Sequence, residues 1–311
     1  MTEHGESKRA IVAAFLANIG IATMKFVALL FTGSSSMLSE SIHSLADTGN
    51  QGLLLLGRRR SDRPADERHP FGYGPVRYFY AFIVAFVLFT VGGIFSIFEG
   101  IDKIRHPHAV EAVGWAIVVL VGAIVLESFS LRTARQEANE VRPANEGWWR
   151  FIRRTKNPDL PVVLLEDTAA LLGLAIAFVG VVLADVTGNA RWDGLGSLAI
   201  GVVLVLVAIV LVIETGSLLV GESARPEDVA RITAVIEKFP RVRRIIHLRT
   251  EHLGPDEIVV ALKAEFDRDL SIEQLAAAID ELEAAIRAAE PRATWIFVEP
   301  DIYREPVENA D

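Results

Sequence analysis

The sequence contains no cysteine. That excludes disulfides and every thiolate metal site, so a transition-metal site here has to use imidazole, carboxylate, amide or water donors. A basic excess is missing too. Lys and Arg number 31 against 40 Asp and Glu, for a net charge of −9. No basic patch points to nucleic acid as a partner. The start of the chain lacks a small-residue cleavage site, and its apolar run is span-length with Lys25 inside it, so it does not read as a cleaved leader. What the chain has instead is apolar sequence: 51% of its residues are hydrophobic and the mean hydropathy is +0.35, high for a soluble protein. The acidic surplus sits at one end. Residues 222–311 carry 20 acidic and 12 basic residues, whereas residues 1–221 carry 20 and 19. This divides the chain into a nearly neutral membrane domain, 1–221, and an acidic soluble domain, 222–311.

A membrane-crossing helix needs about 20 mostly apolar residues. Six stretches qualify: 10–31, 37–57, 78–99, 114–132, 161–184 and 194–220. The basic residues between them set the orientation. The first loop, TGSSS, has none. The second has Arg58, Arg59, Arg60, Arg63, Arg68 and Arg77, and the third has Lys103 and Arg105. The fourth has Arg132, Arg135, Arg142, Arg150, Arg153, Arg154 and Lys156, and the fifth has Arg191 alone. The even loops are therefore cytoplasmic, and so are both termini.

Residues 226–306 read as a small α+β domain. PEDVARITAVIEKF is an amphipathic helix. VRRIIHLRTEH and EIVVALKAEFD are strand-like runs joined by LGPD, a hairpin signal. SIEQLAAAIDELEAAIRAAE is a second helix, with Ser271 as N-cap and Gln274 three residues later completing a capping box. ATWIFVEPD is a third strand. The order α-β-β-α-β is of ferredoxin-like type, and with helices on one face it leaves a sheet face and an edge to cover. A homodimer is a natural solution.

The second span carries ionisable residues where a membrane helix should have none: SESIHSLADTGN, residues 39–50. His43 and Asp47 lie four apart on one helix face, with Glu40 and Asn50 extending that face by a turn each way. An imidazole and a carboxylate at this spacing supply half of a tetrahedral site for a divalent metal. A charged group at a helix centre costs at least about 2.5–3.5 kcal/mol, so such residues mark ion or proton paths more often than packing contacts. The fifth span answers with Glu166 and Asp167, a turn into an apolar helix. Adjacent residues differ by about 100° around a helix, so only one points fully at a given partner. Lys25 and Asp193 read as interfacial snorkelling or capping, while Glu127, deep in a span, reads equally well as structural or functional. In RPADERHPFGYGPVRY, Asp66, Glu67 and His69 are candidate ligands beside Gly72 and Gly74, which suit a tight turn; a loop that positions the third span is the plainer reading.

The strings MLSESIHSLADTGNQ, DERHPFGYGPVRYFYA and WDGLGSLAIG, in this order across residues 9–302, closely resemble the cation diffusion facilitators. VVLLEDTAALLG looks most like the branch that includes zinc transporter nine. The resemblance implies an α-helical membrane protein with six transmembrane helices and a C-terminal cytoplasmic ferredoxin-like domain, acting as a metal/proton antiporter. It implies two ligands from span two and two from span five. Carried over, these are His43, Asp47 and Asp167, while the fourth position falls on Val163, which cannot bind a metal. Water, Glu166 or another polar group has to stand in. Asp66 and His69 match ligands of a second site used by some bacterial members, with Tyr73 where the third would be. In the tail only Glu299 matches an acid of the family's binuclear site, and His247 and His252 fall out of its register.

These implications give a divalent metal efflux transporter in a lipid bilayer, expected in a bacterial inner membrane. It has no prosthetic group and no enzyme step, and its substrates are Zn2+ (or Mn2+, Fe2+ or Co2+) and protons. Protons compete for the ligands, and an imidazole titrates in the useful range. The rival is a non-transporting membrane sensor or assembly protein that kept the fold and lost a ligand.

Overall fold

The computed structural model describes the backbone of residues 3–110 and 112–305, and side chains from residue 18 onward. Residues 10–17 of the first expected span therefore have no described side chains. The chain divides into two compact units. One takes the chain up to Arg60 together with Val76–Gly216; the other takes Ser61–Pro75 and the chain from Ser217 on.

The first unit is helical. Helix α1 (Glu3–Thr32) ends at Gly33, whose φ of +56° is the left-handed stop that glycine supplies. Helix α2 (Ser35–Ser61) begins at once, and its exposed N–H groups are met by a carboxylate from another helix: Asp193 accepts from Ser35 N at 2.8 Å, Ser36 N at 3.3 Å and Ser34 Oγ at 2.7 Å. Asp193 does cap a helix, but it is wholly buried rather than interfacial. An anion at this position favours the helix dipole. Helix α3 (Pro75–Val87) runs through a π-helical turn, Leu88–Ile94, into α4 (Phe95–Arg105). Then come α5 (Val113–Val141), the short α6 (Trp148–Arg154), α7 (Asp159–Thr187) and α8 (Arg191–Val220).

Among the described residues four helical stretches are long and apolar enough to cross a membrane: Pro75–Arg105, Val113–Val141, Asp159–Thr187 and Arg191–Val220. The described apolar part of α1, Asn18–Thr32, is shorter, and α2 has the length but carries Glu40, His43, Asp47 and three arginines. Bringing membrane helices together depends on close backbone approach, which small residues permit. A Cβ on Gly100 would lie 2.5 Å from Leu198 N and 2.7 Å from Gly194 O, and one on Gly201 would lie 2.7 Å from Ile97 N. Helices α4 and α8 thus touch backbone to backbone. Helix α5 packs on α1 and α7. Leu88, Leu120, Leu174, Ile200 and Leu204 fill the wholly buried centre.

In the second unit α9 (Pro226–Glu237) precedes β1 (Val242–Gly254), β2 (Glu257–Phe266), α10 (Ile272–Ala289) and β3 (Ala293–Pro300). The sheet order is β1-β2-β3, with β1 antiparallel to β2 across the Pro255–Asp256 turn and β2 parallel to β3. The parallel pair requires a crossover, which α10 provides. Its capping box is present: Gln274 N donates to Ser271 Oγ and Ser271 N donates to Gln274 Oε1. Alternation puts Ile258, Val260, Leu262 and Ala264 of β2 against Ile232, Ile236, Leu282 and Ile286 of the helices.

The opposite sheet face receives a cover from within the same unit. Phe71 sets its ring edge-on to Trp295 at 5.2 Å and to Phe297 at 6.3 Å. A Cβ on Gly74 would lie 2.4 Å from Leu253 O, so only glycine lets this segment lie so close to the hairpin. Phe71 and Phe297 nevertheless remain about half exposed, at 45% and 51%. The cover is partial.

Candidate metal site

Helix α2 presents its polar residues inward. Glu40, His43 and Asn50 are wholly buried and Ser44 nearly so, because their spacing keeps them on one side of the helix. His43 Nδ1 lies 3.4 Å from Asp47 Oδ1. Among the described residues neither ring nitrogen of His43 makes a hydrogen bond, nor does Asp47 Oδ1. Buried polar atoms are normally satisfied, so this pair is poised for something other than packing.

Helix α7 faces it with two carboxylates that engage different partners, as the angular offset of adjacent residues requires. Glu166 Oε1 accepts from Asn50 Nδ2 at 2.7 Å, tying α7 to α2. Asp167 Oδ2 accepts from Ser130 Oγ at 2.9 Å, tying α7 to α5. Asp47, Glu127, Glu166 and Asp167 border one small cavity, with Asn18 on its α1 side. Val163, one turn earlier on α7, is packed among apolar side chains and offers no donor.

Lys25 does not snorkel to an interface, as the sequence reading expected of it. It is wholly buried, and its Nζ lies 3.1 Å from Glu40 Oε2, 2.6 Å from Ser44 Oγ and 3.9 Å from Glu127 Oε1. A lysine placed 15 residues before a buried glutamate can neutralise it across the α1–α2 turn, and that pairing removes the reason to reach for the surface.

Among the described residues no three His, Asp or Glu side chains already stand together as a metal cage. The structure therefore supplies a His43–Asp47 pair and a carboxylate-lined cavity beside it, with the donors not yet converged.

The loop candidates also lie side by side, His69 Nδ1 at 3.4 Å from Asp66 Oδ1, and have further partners. Asp66 Oδ1 accepts from Arg68 N at 3.0 Å and His69 N at 2.8 Å, and Tyr73 Oη donates to Asp66 Oδ2 at 2.6 Å. The tyrosine hydrogen bond holds the Asp66 carboxyl below its ordinary value, helped by the His69 amide. The ring of His69 lies 4.2 Å from that of Tyr73. Here Asp66 organises a turn, with Gly72 at φ +85° completing it. In the tail Glu299 pairs with Lys263 at 3.0 Å, and the buried His252 directs Nδ1 to Gly254 O at 3.0 Å.

Two features escaped the sequence. Ser130 lies three residues after Glu127 in an apolar helix, and that polar pair was the available signal. The Lys25–Glu40 bond had only the two charges themselves as a signal, since nothing in one sequence states which buried groups meet.

Comparison with known proteins follows the same division. The family description Cation efflux transmembrane domain matches residues 11–220, and Cation efflux protein, cytoplasmic domain matches residues 224–301. The chain is 39% identical over 246 residues to the human proton-coupled zinc antiporter SLC30A9, mitochondrial, a match covering 79% of this chain and 43% of that protein. The Xenopus laevis protein of the same name is 36% identical over 269 residues, covering 85% and 47%. Cation-efflux pump FieF of Pectobacterium atrosepticum is 28% identical over 303 residues, covering 96% and 92%. The chain thus spans less than half the length of the human and frog relatives.

Proposed function

The chain belongs to the cation efflux family, the cation diffusion facilitators, and from that premise we propose that it exports a divalent metal ion, zinc first, in exchange for protons. The observation that carries the reading is His43: a wholly buried imidazole, inside a helix of the membrane domain, with neither nitrogen hydrogen-bonded among the described residues and a carboxylate 3.4 Å away. Polar groups left unsatisfied in a membrane interior cost several kcal/mol each, which favours a ligand role over a packing role.

In this reading His43, Asp47 and Asp167 take the ion from the cytoplasmic side. One imidazole with carboxylates suits zinc and also accepts manganese, iron or cobalt. Ligands bind metal only when deprotonated, so protons arriving from the far side compete for the same groups and release the ion. Alternating access of one site to the two faces then links the two gradients. Six spans with both termini cytoplasmic fit this scheme, in a bacterial inner membrane; the loop arginines support that orientation. The acidic domain acts as the homodimer contact, supported by the half-exposed aromatic face around Phe297. The names of the vertebrate relatives, proton-coupled zinc antiporter, support zinc and protons as substrates.

Zinc uptake into proteoliposomes tests the proposal. Asp47→Ala is expected to abolish uptake while inserting normally, and wild-type uptake by that variant would refute the assignment. The absence of uptake by the wild-type chain would instead favour the non-transporting sensor, the reading that the apolar packing of Val163 keeps open.

A further inference from the structure

Glu127 and Lys25 have no part in the mechanism above, yet both are buried in the membrane domain. Lys25 Nζ is at hydrogen-bond distance from Glu40 (3.1 Å) and Ser44 (2.6 Å), but Glu127 Oε1 stands at 3.9 Å, held by charge without a hydrogen bond. Glu127 is 8% exposed, and no hydrogen bond engages it among the described residues. It borders the same cavity as Asp47, Glu166 and Asp167. Of the three carboxylates facing Asp47 there, Glu166 is committed to Asn50 and Asp167 to Ser130. Glu127 is the least restrained.

Resting on the transport reading, we propose that Glu127 is a further ligand to the transported ion, filling the place that Val163 leaves empty, and that Lys25 is the tethered cation that balances it when no ion is present. An arriving dication carries twice the charge of an ammonium and can approach a carboxylate to about 2.0–2.2 Å. It therefore outcompetes a lysine at 3.9 Å. Lys25 stays in place, because Glu40 and Ser44 hold it. When the ion leaves, the ammonium neutralises Glu127 again, so release does not strand a bare carboxylate in the membrane. His43 reaches the site through Asp47: its Nδ1 lies 3.4 Å from Asp47 Oδ1, and Asp47 borders the cavity. The completed set is one imidazole and three carboxylates from α2, α5 and α7, without Glu166.

The test uses the purified full-length protein: Zn2+ and Mn2+ affinities by titration calorimetry, and uptake of the same ions into proteoliposomes. Glu127→Gln should weaken Zn2+ binding on the order of tenfold or more, by analogy with what loss of a carboxylate around a metal commonly does. The double variant Lys25→Gln with Glu40→Gln removes the tethered cation and its main partner together, so it adds no unpaired charge at that pair. It should bind Zn2+ more tightly than the wild type and release it more slowly, lowering both KM and the maximal rate. A purely structural role for the lysine would weaken binding in both variants. A well-folded Glu127→Gln protein with wild-type affinities for both ions overturns the proposal, as does a double variant that binds more weakly than wild type. Should Glu127→Gln fail to fold, the double variant decides alone. Failure of the wild-type protein to bind either ion sinks the transport reading itself, and is told apart by that control.

Discussion

Replacing Glu166 with Gln separates a ligand from a buttress. In the structure Glu166 is 4% exposed and accepts one hydrogen bond, from Asn50 at 2.7 Å. Gln keeps an oxygen where that bond is made and removes only the charge. A hydrogen bond to a charged group contributes about 1.5–3 kcal/mol and a neutral one about 1 kcal/mol, so the exchange costs roughly 1 kcal/mol of helix–helix association. If that is the whole role of Glu166, uptake falls by no more than about fivefold, the factor that 1 kcal/mol represents. A direct ligand behaves differently, because even supporting groups around a metal cost about 10–100-fold when removed. Asp167→Asn is the reference for that outcome. We expect Glu166→Gln to retain uptake within about fivefold, and Asp167→Asn to lose it. The assay is proteoliposome uptake of Zn2+, Mn2+ and Fe2+ by both variants at matched reconstitution. Glu166→Gln failing as completely as Asp167→Asn for every ion would refute the buttress role and make Glu166 the missing ligand. Val163→His should shift preference toward zinc, although Val163 is packed among apolar side chains and a larger residue there costs about 1–3 kcal/mol.

Three further outcomes follow from the packing. Glu290 is 2% exposed; burial pushes its carboxyl up, but hydrogen bonds from Arg292 and Arg231 and their charges bring it down to about 2. A depressed carboxyl stabilises the fold above its unfolded value of about 4.3 and stops doing so as pH falls through about 2. That is at most about 3 kcal/mol, discounted to about 1–2 because Arg231 is half exposed to solvent. Glu290→Gln should thus lower amide protection in α9 and α10 at pH 7, and its deficit against wild type should shrink between about pH 5 and 2; a deficit constant across that range would assign the effect to packing. Gly100→Val forces a Cβ to 2.5 Å from Leu198 N, and should cost roughly 1–3 kcal/mol and melt earlier in detergent, whereas an unchanged melting temperature would mean that α4 and α8 do not approach as described. Zinc should alter the dimerisation of the full chain only weakly in sedimentation, since Glu299 is paired with Lys263 and His252 with Gly254, and a large zinc-driven change would contradict this.

Periodicity made most of the elements legible. Amphipathic patterning located the first tail helix, strand-like runs and the LGPD turn signal located the first two strands, and Ser271 with Gln274 marked the start of α10 to the residue. The same reasoning put His43 and Asp47 on one face, since their spacing is a property of the helix alone. It could not join Ser61–Pro75 to the tail, because Phe71 meeting Trp295 and Phe297 is a contact between segments more than 200 residues apart. Nor could it see the π-helical turn at Leu88–Ile94, since one extra residue in a turn carries no residue type of its own.

Lys25 shows where the limit lies. A lysine in an apolar helix has two ways to avoid a bare charge in lipid: it stretches to the interface, or it finds an anion. Sequence position alone favoured the first, because a long side chain near a helix end can snorkel. The decision belongs to geometry that no single helix contains. Gly33 turns the chain back at once, α2 runs beside α1, and Glu40 and Ser44, four apart on α2, arrive together at Nζ. Gly173 of α7 completes the arrangement, since a Cβ there would lie 2.4 Å from Glu40 Oε1. The lack of a side chain at Gly173 is what admits the buried glutamate, and with it the lysine. Gly173→Ala should therefore displace Glu40 and leave Lys25 to pair more closely with Glu127, where it competes harder with zinc and raises KM; zinc kinetics identical to wild type would show that Glu40 does not need the space.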